Sequence, residues 1–299
     1  MILLEFNNRL IEDFFKDKLE NPREETLDVT FADFDGVQYH ISTPEASKTV
    51  VTLSLSWRCA GECLANGGTE MLQQVYGAFQ TQTEDKYDVT LRIDLAAVPG
   101  GEKAQLPLKL SNLKRNLLAA VFKKVFTACN SGSTSKDVIT INYREGEALY
   151  IRPEGDRVIC LFAVKFKDAG DQILAKVFLQ EFQDARRTIS NAPSVQYSIN
   201  EPPNEFQNIP GIISGENLSF VAVVLFQNHL AQQNQDRTIN NVQNFRNYLH
   251  YHIKCSKGYM HERMRNRVDN MLQVLNRARP EPFKAKEKKV MSGRTFVRK

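Results

Sequence analysis

Apolar side chains recur three or four positions apart over one long stretch near the carboxy terminus: Ile239, Val242, Phe245, Leu249, Ile253, Met260, Met264, Val268, Met271, Leu275 and Ala278. That spacing draws one stripe along an α-helix. No proline interrupts 238–279, and Pro280 stops the run. At about 1.5 Å per residue the helix is roughly 60 Å long, and no other segment has a pattern long enough to match it. A stripe of that length implies a partner on another chain.

Upstream, the pattern changes between helical and alternating several times. The spacing predicts a helix at 7–19, strands at 27–33, 37–41 and 49–56, a helix at 69–79 and a strand at 87–95, in which Val89, Leu91 and Ile93 share one face. It then predicts a helix at 110–126, strands at 138–143, 148–151 and 157–166, a helix at 172–186, and strands at 194–199 and 219–226. The order α-β-β-β-α-β therefore occurs twice. FDGVQYHI (34–41) and REGEALYI (144–151) both place an acidic residue and glycine before a strand ending Tyr-x-Ile, which supports a duplication. Short connections favour antiparallel sheets covered by helices, an α+β architecture. The expected organisation is two similar α/β domains at 1–106 and 107–230, the long helix at 231–280 and a basic tail at 281–299.

Charge is uneven along this layout. The chain carries +4 overall, yet 250–299 holds 14 Lys and Arg against 4 Asp and Glu, leaving 25 basic against 31 acidic residues in 1–249. A basic end on an acidic body fits an acidic protein surface, a nucleic acid or an anionic membrane, and charge alone does not choose among them. Glu262 and Asp269 are the only acids among the cations Lys254, Lys257, Arg263, Arg265, Arg267, Arg277 and Arg279, so few intrahelical pairs neutralise them. Fully burying the eleven stripe residues represents roughly 15 to 30 kcal/mol, an upper bound. Part of the stripe is expected on the chain's own sheets, and the rest is an exposed seam in a monomer.

Signatures of catalysis are missing. There is no phosphate-binding glycine loop, no Gly-x-Ser-x-Gly elbow and no His-Glu-x-x-His pair. Cys59 and Cys63 lack the further ligands a zinc site needs and are read as small side chains at the end of a strand. His250 and His252 lie about 200° apart on a helix and do not chelate together. Those two, with His261, are read as interface hydrogen-bonding groups. Lys114, Arg115, Lys123 and Lys124 are read as a solvated face, with a partner contact as the alternative. No metal, cofactor or small-molecule substrate is expected. Five scattered cysteines and an amino terminus without a signal-peptide pattern fit a reducing, cytoplasmic setting.

Particular runs then carry a resemblance. LHYHIKCSK (249–257), Tyr259, His261, RMR (263–265) and VLNRARP (274–280) are followed upstream by MILLE with Asn8 and Arg9, VTFADFDGVQYHIS (29–42), LKRN (113–116), KVFLQEF (176–182) and EPP (201–203), with Gly293-x-Thr295-Phe296 at the end. In order and over nearly the whole chain, these resemble the family of 34-kilodalton subunits, subunit 2, of the actin-related protein 2/3 complex. The resemblance implies a non-enzymatic subunit of a seven-subunit assembly that starts a new actin filament as a branch on an existing one. It implies a heterodimer with subunit 4 through the stripe Ile239, Val242, Phe245, Leu249, Ile253, Met260, Met264, Val268, Met271 and Leu275. The two actin-related subunits sit on that core. Filamentous actin, which is acidic, then meets the seven helix cations named above, and the setting is the cortical cytoskeleton and cell projections. Residues 96–107, 206–215 and 281–291 look individual, so no contact there is carried over. The rival reading is a nucleic-acid-binding protein using the basic helix on phosphates, which lacks interleaved aromatics in its favour.

Overall fold

The computed structural model describes residues 5–22, 25–44, 47–132, 137–166, 168–207, 209–215, 218–277, 288–289 and 295–296. Helix α1 (Arg9–Glu20) starts where the Asn8 side chain accepts from the Ile11 amide at 3.3 Å, satisfying a donor that no helical carbonyl reaches. Strands β1 (Asp28–Ala32), β2 (Gln38–Ser42), β3 (Val50–Ser56) and β4 (Val89–Asp94) form a four-stranded sheet in that order, every pair antiparallel. Register explains its two faces. Ile41 lies opposite Leu53 and Leu53 opposite Leu91, while Tyr39 lies opposite Leu55 and Leu55 opposite Val89, and all of these are buried. The alternate positions, His40, Ser54 and Thr90, form a polar face, as period-two alternation requires.

Between β3 and β4 lie α2 (Ala60–Cys63), a π-helical turn (Leu64–Gly68), α3 (Thr69–Tyr76) and a short 3-10 turn (Gly77–Phe79). The sequence pattern shows only α3, because the preceding segment changes direction at Gly67, where φ is +103°. Cys63 belongs to α2, one turn after Cys59, and both are buried, so the strand-end placement of this pair is corrected.

The second half repeats the plan with an addition. Helices α4 (Leu106–Ser111) and α5 (Leu113–Asn130) precede β5 (Ile139–Arg144), β6 (Glu147–Glu154) and β7 (Arg157–Lys165). Then come α6 (Ala169–Thr188), β8 (Ser194–Ile199) and β9 (Leu218–Leu225). The sheet order is β5-β6-β7-β9-β8, antiparallel throughout. By position next to the third strand, β9 is the counterpart of β4, and β8 is an extra strand at the edge. The two halves are thus similar antiparallel units of an α+β fold, followed by α7 (Gln227–Leu230) and the long α8 (Gln232–Arg277). Strands β10 (Lys288–Lys289) and β11 (Thr295–Phe296) make a short antiparallel pair.

Both faces of the second sheet are buried, and β9 is buried along its whole length. One face meets helices: Phe162 of β7 packs on Phe245 of α8 with ring centroids 5.3 Å apart. The other face is covered by the segment between β8 and β9, not by a helix. Phe206 from that segment is buried with Tyr150, Leu161 and Phe220, and the Tyr150 hydroxyl accepts from the Ile213 amide at 2.8 Å. A loop does the work of a layer here because its apolar residues replace a helix while its backbone is anchored by the tyrosine. The chain divides into two compact units, 1–251 and 252–299.

Candidate functional site

Helix α8 changes character along its length. In its first part Ile239 is 0% exposed, and Val242 and Leu249 are also buried. Phe245 is enclosed by Phe162 and by Phe182 of α6. Arg246 makes a bidentate bond to Glu147 of β6, with Nε to Oε2 and Nη2 to Oε1 both at 2.9 Å. His250 lies against Phe166, ring centroids 5.2 Å apart. These stripe positions are filled by the chain's own core, so Ile239, Val242, Phe245 and Leu249 are corrected from partner-facing to internal. The reason is tertiary: β6 and β7 offer an apolar face with one buried carboxylate, and there Phe245 meets Phe162 and Arg246 meets Glu147.

Two of the four cations on α5, Lys114 and Arg115, are also engaged within the fold. Lys114 bridges two carboxylates of the β1–β2 turn, Asp33 at 2.6 Å and Asp35 at close range. Arg144, at the end of β5, donates to Asp35 at 3.1 Å and to the carbonyl of Phe34, and Asn247 of α8 donates to Asp35 at 2.9 Å. Burial alone raises the Asp35 carboxyl, but the Lys114 charge and hydrogen bond, with Asn247 and Arg144, outweigh it and hold the group down to about 2. Arg115 donates to Asp236 and Asn240 of α8 at 2.9 and 2.7 Å, and Lys123 reaches Asp236 at 3.2 Å. Lys114 and Arg115 therefore clamp elements together, which replaces the solvated-face reading for these two; Lys123 and Lys124 are exposed, as that reading has them. Glu62 adds a further tie by accepting from the backbone and side-chain nitrogens of Asn142 at 2.7 and 2.6 Å. Sequence reasoning missed this clamp because its partners lie about 80 positions apart in the chain.

In the second unit Ile253 is 0% exposed, so with no side-chain surface left to offer it too is corrected from partner-facing to internal, and every residue from Gly258 to Arg277 is exposed. Met264, 64% exposed, is typical of the seam formed with Met260, Val268, Met271 and Leu275. At about 100° per residue these five occupy an arc of about 80°. Arg263 and Arg267 border the arc on one side and Arg265 on the other, while Arg277 lies farther round. Lys254 is exposed and Lys257 half-buried. Arg263 stands over the Tyr259 ring at 5.6 Å and donates to its hydroxyl at 3.3 Å. Ala278 and Arg279 lie outside the described residues. An apolar arc left open to water is the arrangement of a protein interface, and the guanidinium groups beside it present positive charge to solvent.

Among the described residues no helix is long and apolar enough to cross a membrane, and no group of three or more His, Cys, Asp or Glu side chains is placed to hold a metal ion.

Two similar antiparallel sheets, locked by buried ion pairs and carrying a long helix with an exposed apolar seam, define an α+β protein of the kind that works by docking. The family described as "Arp2/3 complex, 34 kD subunit p34-Arc" matches residues 53–282, and the chain belongs to that family. It is 44% identical over 298 residues to actin-related protein 2/3 complex subunit 2 of Dictyostelium discoideum, covering 99% of each chain. It is 41% identical over 319 aligned positions to the protein of the same name from Schizosaccharomyces pombe, covering 100% of each.

Proposed function

We propose that this chain is a non-enzymatic scaffold subunit of the Arp2/3 complex that helps to seat the assembly on an existing actin filament, so that a branch can start there. Membership follows from the family and from full-length similarity to relatives named as subunit 2 of that complex. The observation that carries the rest is the seam Met260, Met264, Val268, Met271 and Leu275, left open to water by the chain's own fold. Its occupant is a long helix of subunit 4. The cations Lys254, Lys257, Arg263, Arg265, Arg267, Arg277 and Arg279 serve the acidic filament, with the two actin-related subunits held on the same core. Domain limits of 1–106 and 107–230, with the helix beginning near 231, fit this division of labour. The place of work is the cortical actin cytoskeleton and cell projections.

A purified-complex assay tests the filament side. Reversing Arg263, Arg265 and Arg267 to Glu together is expected to weaken co-sedimentation with actin filaments and lower branch density, with all subunits still recovered. Branching at the unaltered level would remove these cations from the filament contact. A gel shift on duplex DNA at matched salt tests the nucleic-acid alternative, because phosphate binding is steeply salt-dependent.

A further inference from the structure

Phe34 sits at the tip of the β1–β2 turn and is 96% exposed. A lone exposed apolar residue is ordinary on a protein surface. What distinguishes Phe34 is the rigidity of its support. The Asp33 carboxylate accepts from the amides of Asp35 and Val37 at 2.8 and 3.0 Å, and Gly36 closes the turn with φ of +75°. Lys114, Arg144 and Asn247 hold the flanking carboxylates from three different elements, and Arg144 also holds the Phe34 carbonyl. Five donor groups, the amides of Asp35 and Val37 and the side chains of Lys114, Arg144 and Asn247, thus fix the backbone on both sides of a side chain that is itself almost wholly in water.

Turn tips ordinarily carry polar or glycine residues, which tolerate solvent and unusual backbone angles. An aromatic ring here gains nothing for the isolated fold. It does have the attributes of a binding hot spot: large apolar area, a fixed backbone that removes most of the ordering cost, and a polar rim whose charges are already neutralised. We infer that Phe34 is a preformed anchor that inserts into an apolar socket on another subunit of the same assembly. This rests on complex membership. The filament is the poorer occupant, because Asp33 and Asp35 cancel the local cations and residues 1–249 carry 31 acids against 25 bases, whereas an acidic filament favours net positive charge.

The experiment is hydroxyl-radical footprinting of Phe34 in the isolated full-length chain, in the assembled complex, and in the complex on filaments, together with Phe34→Ala. The inference expects Phe34 to be labelled in the free chain and protected in the complex before filament is added. It also expects Phe34→Ala to loosen the chain's hold on the remaining subunits by about thirtyfold, without moving its own melting temperature. Equal labelling in the free chain and the complex overturns it, as does protection that arises only with filament. An unaltered chain that is recovered with no companion subunits overturns both this inference and the membership on which it rests.

Discussion

Arg144, at the end of β5, donates to the Asp35 carboxylate of the β1–β2 turn across 3.1 Å. Each residue belongs to the turn between the first two strands of its own half, and each turn has a glycine at positive φ, Gly36 at +75° and Gly146 at +71°. The two copies of one motif meet face to face. Their contact is completed by Lys114 and Asn247, so helices α5 and α8 are fastened at the same point. The ends of two sheets are held by charge in a place where apolar packing alone would allow sliding.

Removing the Asp35 charge measures this joint. Its carboxyl is held at about 2 instead of 3.8, so it adds stability that is fully present above 3.8 and lost as pH falls through about 2. Asp35→Asn is expected to cost on the order of 2 kcal/mol at neutral pH. In denaturant titrations at stepped pH, the gap between the two proteins should close as pH falls from 4 towards 2. A gap independent of pH would show that Asp35 acts through shape and not through charge.

Arg246 and Glu147 form an enclosed ion pair, Glu147 being only 5% exposed in its side chain. Glu147→Gln leaves a guanidinium without its counter-charge in the core and is expected to cost about 3 to 5 kcal/mol. Replacing both, with Glu147→Leu and Arg246→Met, is expected to restore most of that loss. Chemical denaturation of the three proteins checks the cycle; equal losses in single and double variants would contradict it.

His40 offers a test at higher pH. Its ring nitrogens meet Glu84 and Asp28, both at 2.9 Å, and it stacks on Tyr87 with centroids 5.5 Å apart. Burial pulls its pKa down, but the two carboxylates raise it above 6.5; burial raises Glu84, but Ser54 and His40 bring it below 4.5. The stabilisation from the histidine is complete below 6.5 and is lost as pH rises through the raised value. The stabilisation from Glu84 is complete above 4.5 and is lost as pH falls through the lowered one. Thermal melts of His40→Gln should therefore fall furthest below the parent between 4.5 and 6.5 and approach it in alkaline buffer.

The two parts of the stripe should respond differently to one substitution. Leu249→Asp puts a charge into the core and is expected to unfold the chain, because Leu249 is buried. Met264→Asp and Met271→Asp lie on the exposed seam and should leave the melting temperature within a degree or so while abolishing co-purification with subunit 4. Normal recovery of the heterodimer with both methionines changed would rule out the seam.

Element type and order were legible in the sequence because their periodicity is strong. Val89, Leu91 and Ile93 alternate on β4, and the register puts Leu91 opposite Leu53 and Ile93 opposite Val51. The helix at 172–186 in the pattern extends to Ala169–Thr188 because Asp168 caps it, accepting from the Gly170 amide at 2.9 Å. Short elements were hidden. Helix α2 and its π turn are too brief for a period to register, whereas β8 was read at its observed bounds of 194–199 and only its lack of a counterpart in the first half went unseen.

The candidate site divides along the same line. A long basic helix with a stripe of Met260, Met264, Val268, Met271 and Leu275 is a property of consecutive residues, and local spacing is enough to reveal it. Which stripe residues are spent inside the protein depends on surfaces contributed by distant strands. Phe245 finds Phe162 and Arg246 finds Glu147 only once β6 and β7 lie beneath α8. Lys114 of α5 likewise acquires its role from carboxylates about 80 positions away, and Arg115 from Asp236, 121 positions away. Periodicity is written in the chain one neighbour at a time, whereas a long-range ion pair exists only after folding has brought its two ends together.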